Sequence, residues 1–128
     1  MRLYFLATSL KWIDGYSYVI TAQNFLNPSE FGELVELRTI KTHLGYSLLL
    51  SLSFILFGVS TESALLMTAI ISSFSAPLLY VFARELTEKK EVAILSGIIL
   101  SFNPLHLRYS TLVMSDSVGI SFILLFFI

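Results

Sequence analysis

The chain has 128 residues, 55% hydrophobic and 13% charged, with a formal net charge of −1 and no cysteine. Its mean hydropathy of +0.81 exceeds what a water-soluble domain of this length can hide inside itself. The near-zero net charge points to no polyelectrolyte partner, so nucleic acid binding has no support. The missing cysteines exclude disulfides, thiolate metal sites and cysteine nucleophiles.

Taken in chain order, Met1-Arg2 and the apolar residues 3–10 imitate a short signal peptide, but no small-residue cleavage site follows. Residues 14–26 read as a helix, with Asp14 as N-cap and Tyr18, Ala22 and Phe25 along it. Asn27-Pro28-Ser29-Glu30 is a helix-start signal, with Asn as cap and Pro at the first position. The segment up to Leu37 sets Phe31, Leu34 and Val35 against Glu30, Glu33 and Glu36, a pattern suited to lying on a membrane surface. Residues 38–43 are polar and basic.

Residues 44–59 are apolar again. As a helix they reach ~24 Å, marginal for a bilayer core of ~30 Å, so they form either a short span or a re-entrant helix. Residues 58–63 break the run. Residues 64–83 then carry no charge over twenty positions, which as a helix is ~30 Å and long enough to cross. Two small-residue pairs at a spacing of four, Ala69/Ser73 and Ser72/Ala76, predict a close-packing face toward another membrane helix. Pro77 removes the bond to the Ser73 carbonyl and predicts a kink. The octet Arg84-Glu85-Leu86-Thr87-Glu88-Lys89-Lys90-Glu91 forces the chain into water.

Residues 92–107 read as the next span, bent or ended at Asn103-Pro104, with residues 105–110 at the interface. Ser115-Asp116 caps a last apolar segment, 117–128, which at ~18 Å is an incomplete span. The whole reads as one all-α membrane domain, a helical bundle of several spans and the N-terminal piece of something larger, expected to be inactive alone. No glycine-rich phosphate loop, HExxH or GxSxG motif is present.

The number of crossings decides which side each acidic residue occupies. With residues 44–59 re-entrant, Asp14 and Asp116 share a side, opposite residues 84–91. With residues 44–59 crossing, they are opposed. Arg84, Lys89 and Lys90 favour the cytoplasm, but Lys11, Arg38, Lys41 and Arg108 weaken that signal. Charge therefore leaves both arrangements open.

Four stretches in order carry a resemblance. They are Asp14-Gly15-Tyr16-Ser17-Tyr18; Gly45-Tyr46-Ser47 through Phe57-Gly58-Val59-Ser60; Ala83-Arg84-Glu85-Leu86 with the charges after it; and Pro104-Leu105-His106-Leu107-Arg108-Tyr109-Ser110 followed by Ser115-Asp116. Together they resemble the N-terminal part of the GT-C glycosyltransferases that use polyprenyl-phosphate sugars. That group includes the protein O-mannosyltransferases and the lipid A aminoarabinose transferases. Gly15 stands where many members carry a second acid.

The resemblance implies that residues 14–43 form an external loop and residues 84–91 a cytosolic turn in the cell membrane. It implies transfer of a sugar from a polyprenyl-phosphate donor, on the external face. Asp14 is then the general base or a metal ligand, and Asp116 the second acid. The two acids would position the acceptor or share a hard divalent ion, Mg or Mn, through oxygen ligands. Arg108 and His106 would face the phosphate, and Tyr16 would contact the sugar. The lipid bilayer and other membrane helices are the remaining partners.

Plainer roles fit the same residues. Asp14 and Asp116 both precede helices, where an Asp is a favoured cap. His106 suits an interfacial filler, Arg108 a snorkelling anchor, and Tyr16 an aromatic belt. The alternative function is a non-catalytic membrane subunit that packs through residues 69–76 against a larger partner.

Overall fold

The structure is a computed structural model that describes residues 13–27 and 44–128, with side chains from Gly15 onward in the first stretch. Of the expected surface helix all but Asn27, the basic stretch 38–43 and the Asp14 side chain lie outside the described residues. Among the described residues all regular structure is helical: α1 (Ile13–Leu26), α2 (Leu44–Phe57), α3 (Thr61–Ser73), α4 (Ser75–Thr87), α5 (Lys90–Ser101), α6 (Pro104–Ser110) and α7 (Ser115–Phe127). The chain divides into two compact units, Met1–Met67 with Leu112–Met114, and Thr68–Thr111 with Ser115–Ile128.

In the first unit α1 packs on α2. Tyr18 and Tyr46 meet edge to face at 4.9 Å, a favoured aromatic geometry. The buried face of α2 is Tyr46, Ser47, Leu50, Ser51, Ser53 and Phe54, the i, i+4 set of one helix side. Its opposite face leaves Leu48, Leu52, Ile55 and Leu56 exposed. This inverts the usual order, in which serine is outside and leucine inside. The inversion fits a helix whose outer surroundings are apolar. With 14 residues, α2 is a short apolar helix, below the length of a span.

The corner after α2 is closed by serine. Gly58 takes φ +82°, a left-handed value that glycine adopts without steric cost, and its N–H bonds the Phe54 carbonyl at 3.0 Å. Ser60 and Ser63 then cap α3 reciprocally: Ser63 N–H donates to Ser60 Oγ at 3.0 Å, and Ser60 N–H to Ser63 Oγ at 3.2 Å. This is the geometry of a capping box, built with serine at the third helical position. Ser53 Oγ donates to the Ser63 carbonyl at 2.7 Å and ties α2 to the same corner.

Thr61–Thr87 is the one helical run among the described residues long and apolar enough to cross a membrane. It contains the expected uncharged segment 64–83. The run is interrupted at Phe74, between α3 and α4, where the Phe74 N–H bonds the Ile71 carbonyl three residues back at 3.2 Å. Pro77 thereby falls in the first turn of α4, where a missing N–H is tolerated. The interruption stands three residues before Pro77, the position at which the sequence predicts a kink.

In the second unit α4 and α5 form a hairpin. The charged octet makes its turn: α4 ends at Thr87, Glu88 adopts the left-handed φ of 57° with its N–H on the Arg84 carbonyl, and Lys89 is extended before α5 starts at Lys90. Gly97 allows the close approach of the two helices, since a Cβ there would stand 3.3 Å from the Ala76 carbonyl oxygen. Ala76 therefore belongs to a packing face as expected, and so does Ser72, which is fully buried. The other small pair, Ala69/Ser73, is exposed.

The span expected over 92–107 is two helices. Phe102 ends α5, and Asn103 starts α6 by accepting from the N–H groups of Leu105 (2.9 Å) and His106 (3.2 Å), with Pro104 at the first position. Helices α6 and α7 together are apolar enough for a span but are bent by 108°, so they are a broken span or a re-entrant loop. The described residues hold one candidate crossing, or two with that pair counted, fewer than the several-span bundle expected from sequence.

Three hydroxyl bonds fasten α6 and α7 to the long helix around its break. Ser72 Oγ donates to Ser117 Oγ at 2.9 Å, Ser121 Oγ to the Ile71 carbonyl at 2.8 Å, and Ser75 Oγ meets His106 Nε2 at 2.8 Å. Two outcomes test this packing. Gly97→Leu should destabilise the detergent-solubilised protein by about 1–3 kcal/mol through overpacking, measured by chemical denaturation, with Gly97→Ala within about 1 kcal/mol of wild type. A double-mutant cycle of Ser72→Ala and Ser117→Ala should return a coupling near 0.6 kcal/mol, as for other hydroxyl pairs between apolar helices; no coupling would mean the two do not pair.

Candidate functional site

The second unit contains a half-open hollow of about 180 Å³ where α5, α6 and α7 converge. Leu100 at the end of α5, Leu105 on α6 and Ile120 on α7 form its apolar part. Asn103, His106, Tyr109, Asp116 and Ser117 supply the polar groups. The surface that lines the hollow is almost wholly apolar, with these polar residues at its edges.

Each polar group is placed by a local cause. Asn103 spends its side-chain oxygen on the start of α6, which fixes His106 two residues inside that helix. His106 is half-buried, with Nε2 on Ser75. Ser117 accepts from Ser72 and passes its own proton toward the Tyr109 carbonyl at a long 3.3 Å. That gives an ordered hydroxyl chain from α3 through α7 to α6, whose members polarise one another in an apolar interior.

Asp116 is exposed at the rim. It occupies the second position of α7, not the N-cap expected from sequence, and it is in the first turn, where a negative charge is favoured.

Of the residues singled out from sequence, the structure brings His106 and Asp116 into one hollow. Arg108 is exposed on α6 and is not part of the lining; two positions from His106, it projects from a different side of the helix. Tyr16 is half-buried on α1, in the first unit. Asp14 begins the same helix, with its side chain outside the described residues.

Sequence reasoning missed Tyr109, Ser117 and the bond between Ser75 and His106. It read Asn103 as a bend, and Ser72 as a small residue for close packing. The signal available for Ser117 was its place beside Asp116 in a segment otherwise apolar.

A shared divalent ion was expected between Asp14 and Asp116. Among the described residues no group of three or more His, Asp or Glu side chains could hold a metal. The hollow offers one carboxylate, whereas a hard cation takes about six oxygen ligands, several of them charged. The other expected ligand, Asp14, has its side chain outside the described residues.

No curated protein and no solved structure matches the chain. A family model does: that of dolichyl-phosphate-mannose-protein mannosyltransferase, over residues 42–128. The matched stretch contains every residue of the hollow and stops short of Asp14 and Tyr16. The long apolar helix, the hairpin at residues 84–91 and the acidic hollow all fall within it, and on that coverage the chain belongs to the dolichyl-phosphate-mannose-protein mannosyltransferase family, a GT-C group of membrane-associated glycosyltransferases.

Proposed function

We propose that the chain takes part in transferring a mannosyl group from a polyprenyl-phosphate donor to a hydroxyl acceptor, at the external face of the cell membrane. The observation that carries this reading is the position of Asp116. Within the family-matched residues, Asp116 is an exposed acid bordering a hollow that is apolar along Leu100, Leu105 and Ile120. A lipid-linked sugar asks for that combination, an apolar wall beside a group able to orient or accept a proton.

The chemistry is a displacement at the anomeric carbon. The acceptor O–H bond breaks and its proton goes to a carboxylate as the new carbon–oxygen bond forms. The bond from the anomeric carbon to the phosphate oxygen breaks, and the lipid phosphate leaves with the electron pair. Asp14 is assigned the base on the resemblance of its segment, and Asp116 the second acid, orienting the acceptor. Arg108 is the nearest cation in sequence to the hollow's residues and is assigned to the departing phosphate. His106 contributes to the wall of the hollow, and Tyr16 to the sugar's surroundings.

A non-catalytic role has one observation in its favour. Ala69 and Ser73 are exposed on the long helix, a free small-residue face for a partner helix. The two readings separate cleanly: bulky residues at Ala69 or Ser73 abolish function in the scaffold reading, and loss of both acids leaves it intact.

Two measurements test the enzyme reading. In membranes from cells producing the protein as encoded, Asp116→Asn should lower mannosyl transfer from labelled polyprenyl-phosphate mannose by about 100-fold or more, with donor KM little changed. An unchanged rate removes Asp116 from the reaction. The chain has no cysteine, so single cysteines introduced at positions 14 and 116 can be labelled from outside intact cells. Both should react from the external side; reaction from opposite sides rules out a shared site.

A further inference from the structure

The bond between Ser75 and His106 locates a proton. Ser75 Oγ lies 2.7 Å from the Ser72 carbonyl oxygen and 2.8 Å from His106 Nε2. A carbonyl oxygen only accepts, so the single Ser75 proton occupies the 2.7 Å contact. Toward His106 the hydroxyl is then an acceptor, and Nε2 carries the N–H. The other ring nitrogen, Nδ1, is buried and has no partner among the described residues. A buried N–H without an acceptor is rarer and costlier than a bare acceptor. Both contacts therefore select one tautomer, with the proton on Nε2 and the lone pair on Nδ1.

Ser75 is fully buried at the helix break. Its hydroxyl donates back to the carbonyl three residues earlier, Ser72, as Ser51 and Ser110 do on their own helices. His106 is held from its own side by the Asn103 cap. The ring is thus fixed from two elements, and its one N–H is already spent.

We propose that Ser75 is a positioning residue that holds His106 as the Nε2–H tautomer, so that the imidazole in the wall of the Asp116 hollow has no N–H left for a phosphate. The donor's phosphate is then met by another group, with Arg108 the cation on the same helix. The first half of this proposal stands on geometry alone; the second rests on the sugar-transfer reading above.

Histidine nitrogen NMR on the full chain in detergent tests it. The chain has two histidines, so His43→Gln leaves the His106 signals alone. The wild-type ring should show a protonated Nε2 and a lone-pair Nδ1, and Ser75→Thr should keep that pattern. Ser75→Ala should move proton population toward Nδ1. A wild-type ring protonated at Nδ1, or a tautomer indifferent to Ser75→Ala, overturns the proposal. Titration with inorganic phosphate should leave both nitrogen shifts in place; displacement of either would show that the ring does bind the anion.

In the transfer assay Ser75→Ala should lower kcat about tenfold with donor KM unchanged, because a ring released from Ser75 no longer holds its place in the wall beside Asp116 and misplaces the acceptor there. Ser75→Thr should restore the rate. If wild type transfers no mannose, the sugar-transfer reading fails while the NMR result still decides the tautomer. If wild type transfers and Ser75→Ala is equally fast, the positioning role is refuted.

Discussion

In the second unit the buried hydrogen bond from Ser72 to Ser117 ties α7 to the long helix. Both residues are essentially without solvent exposure, and they lie 45 positions apart in the chain. Around them the usual sorting of side chains is reversed. Ser75 and Ser121 are buried as well, while Leu95, Ile99, Phe122 and Phe126 face outward. When the surroundings of a helix are as apolar as its leucines, burying leucine gains little. Association then rests on close backbone approach and on hydroxyls that find partners. Each such bond is modest, yet its loss leaves a polar group stranded in apolar surroundings, which is the costlier event.

The hydroxyls are useful because the long helix is broken where they cluster. Interruption at Phe74 disturbs the regular ladder between α3 and α4, and serine side chains take up the displaced carbonyls. The Ile71 carbonyl accepts from Ser121, and the Ser72 carbonyl from Ser75. A second irregularity, the Asn103-Pro104 corner, brings α6 back toward the same level. The two breaks are thereby joined by serine and histidine. The hollow is the space that the corner leaves beside α7. Straight helices through both points would have packed side by side with no room for a ligand.

Local features of this arrangement were legible in the sequence. The uncharged segment before Arg84, the turn in the charged octet and the bend at Asn103-Pro104 each follow from short-range chemistry, and each is found. Partner choice was not legible. Ala69/Ser73 and Ser72/Ala76 look alike as small-residue pairs, yet one is exposed and the other packed. The difference lies in Gly97 and Ser117, far along the chain, and a periodic pattern names a face without naming what meets it. Residues 92–107 read as one span because their apolar content continues through Asn103. The cap bonds from Asn103 to Leu105 and His106 make two helices of them instead. In the hollow, Asp116 and His106 were found as chemistry-bearing types, whereas Tyr109 and Ser117 carry no signature until the corner folds.

The plainest account of Asp116, a capping residue with no other task, is weakened by the way α7 begins. The helix starts at Ser115, which places Asp116 inside the first turn instead of at the cap. A cap must turn its side chain back to the N–H groups two or three residues ahead, as Asn103 does for α6. The contrast between these two helix starts is informative. Asn103 spends its oxygen on the backbone and lines the hollow with what remains. Asp116 reaches the rim exposed, gaining from the helix dipole without surrendering an oxygen to a cap. An acid so placed can contribute to the stability of α7 and still present its carboxylate to the hollow, so its structural and chemical roles do not compete.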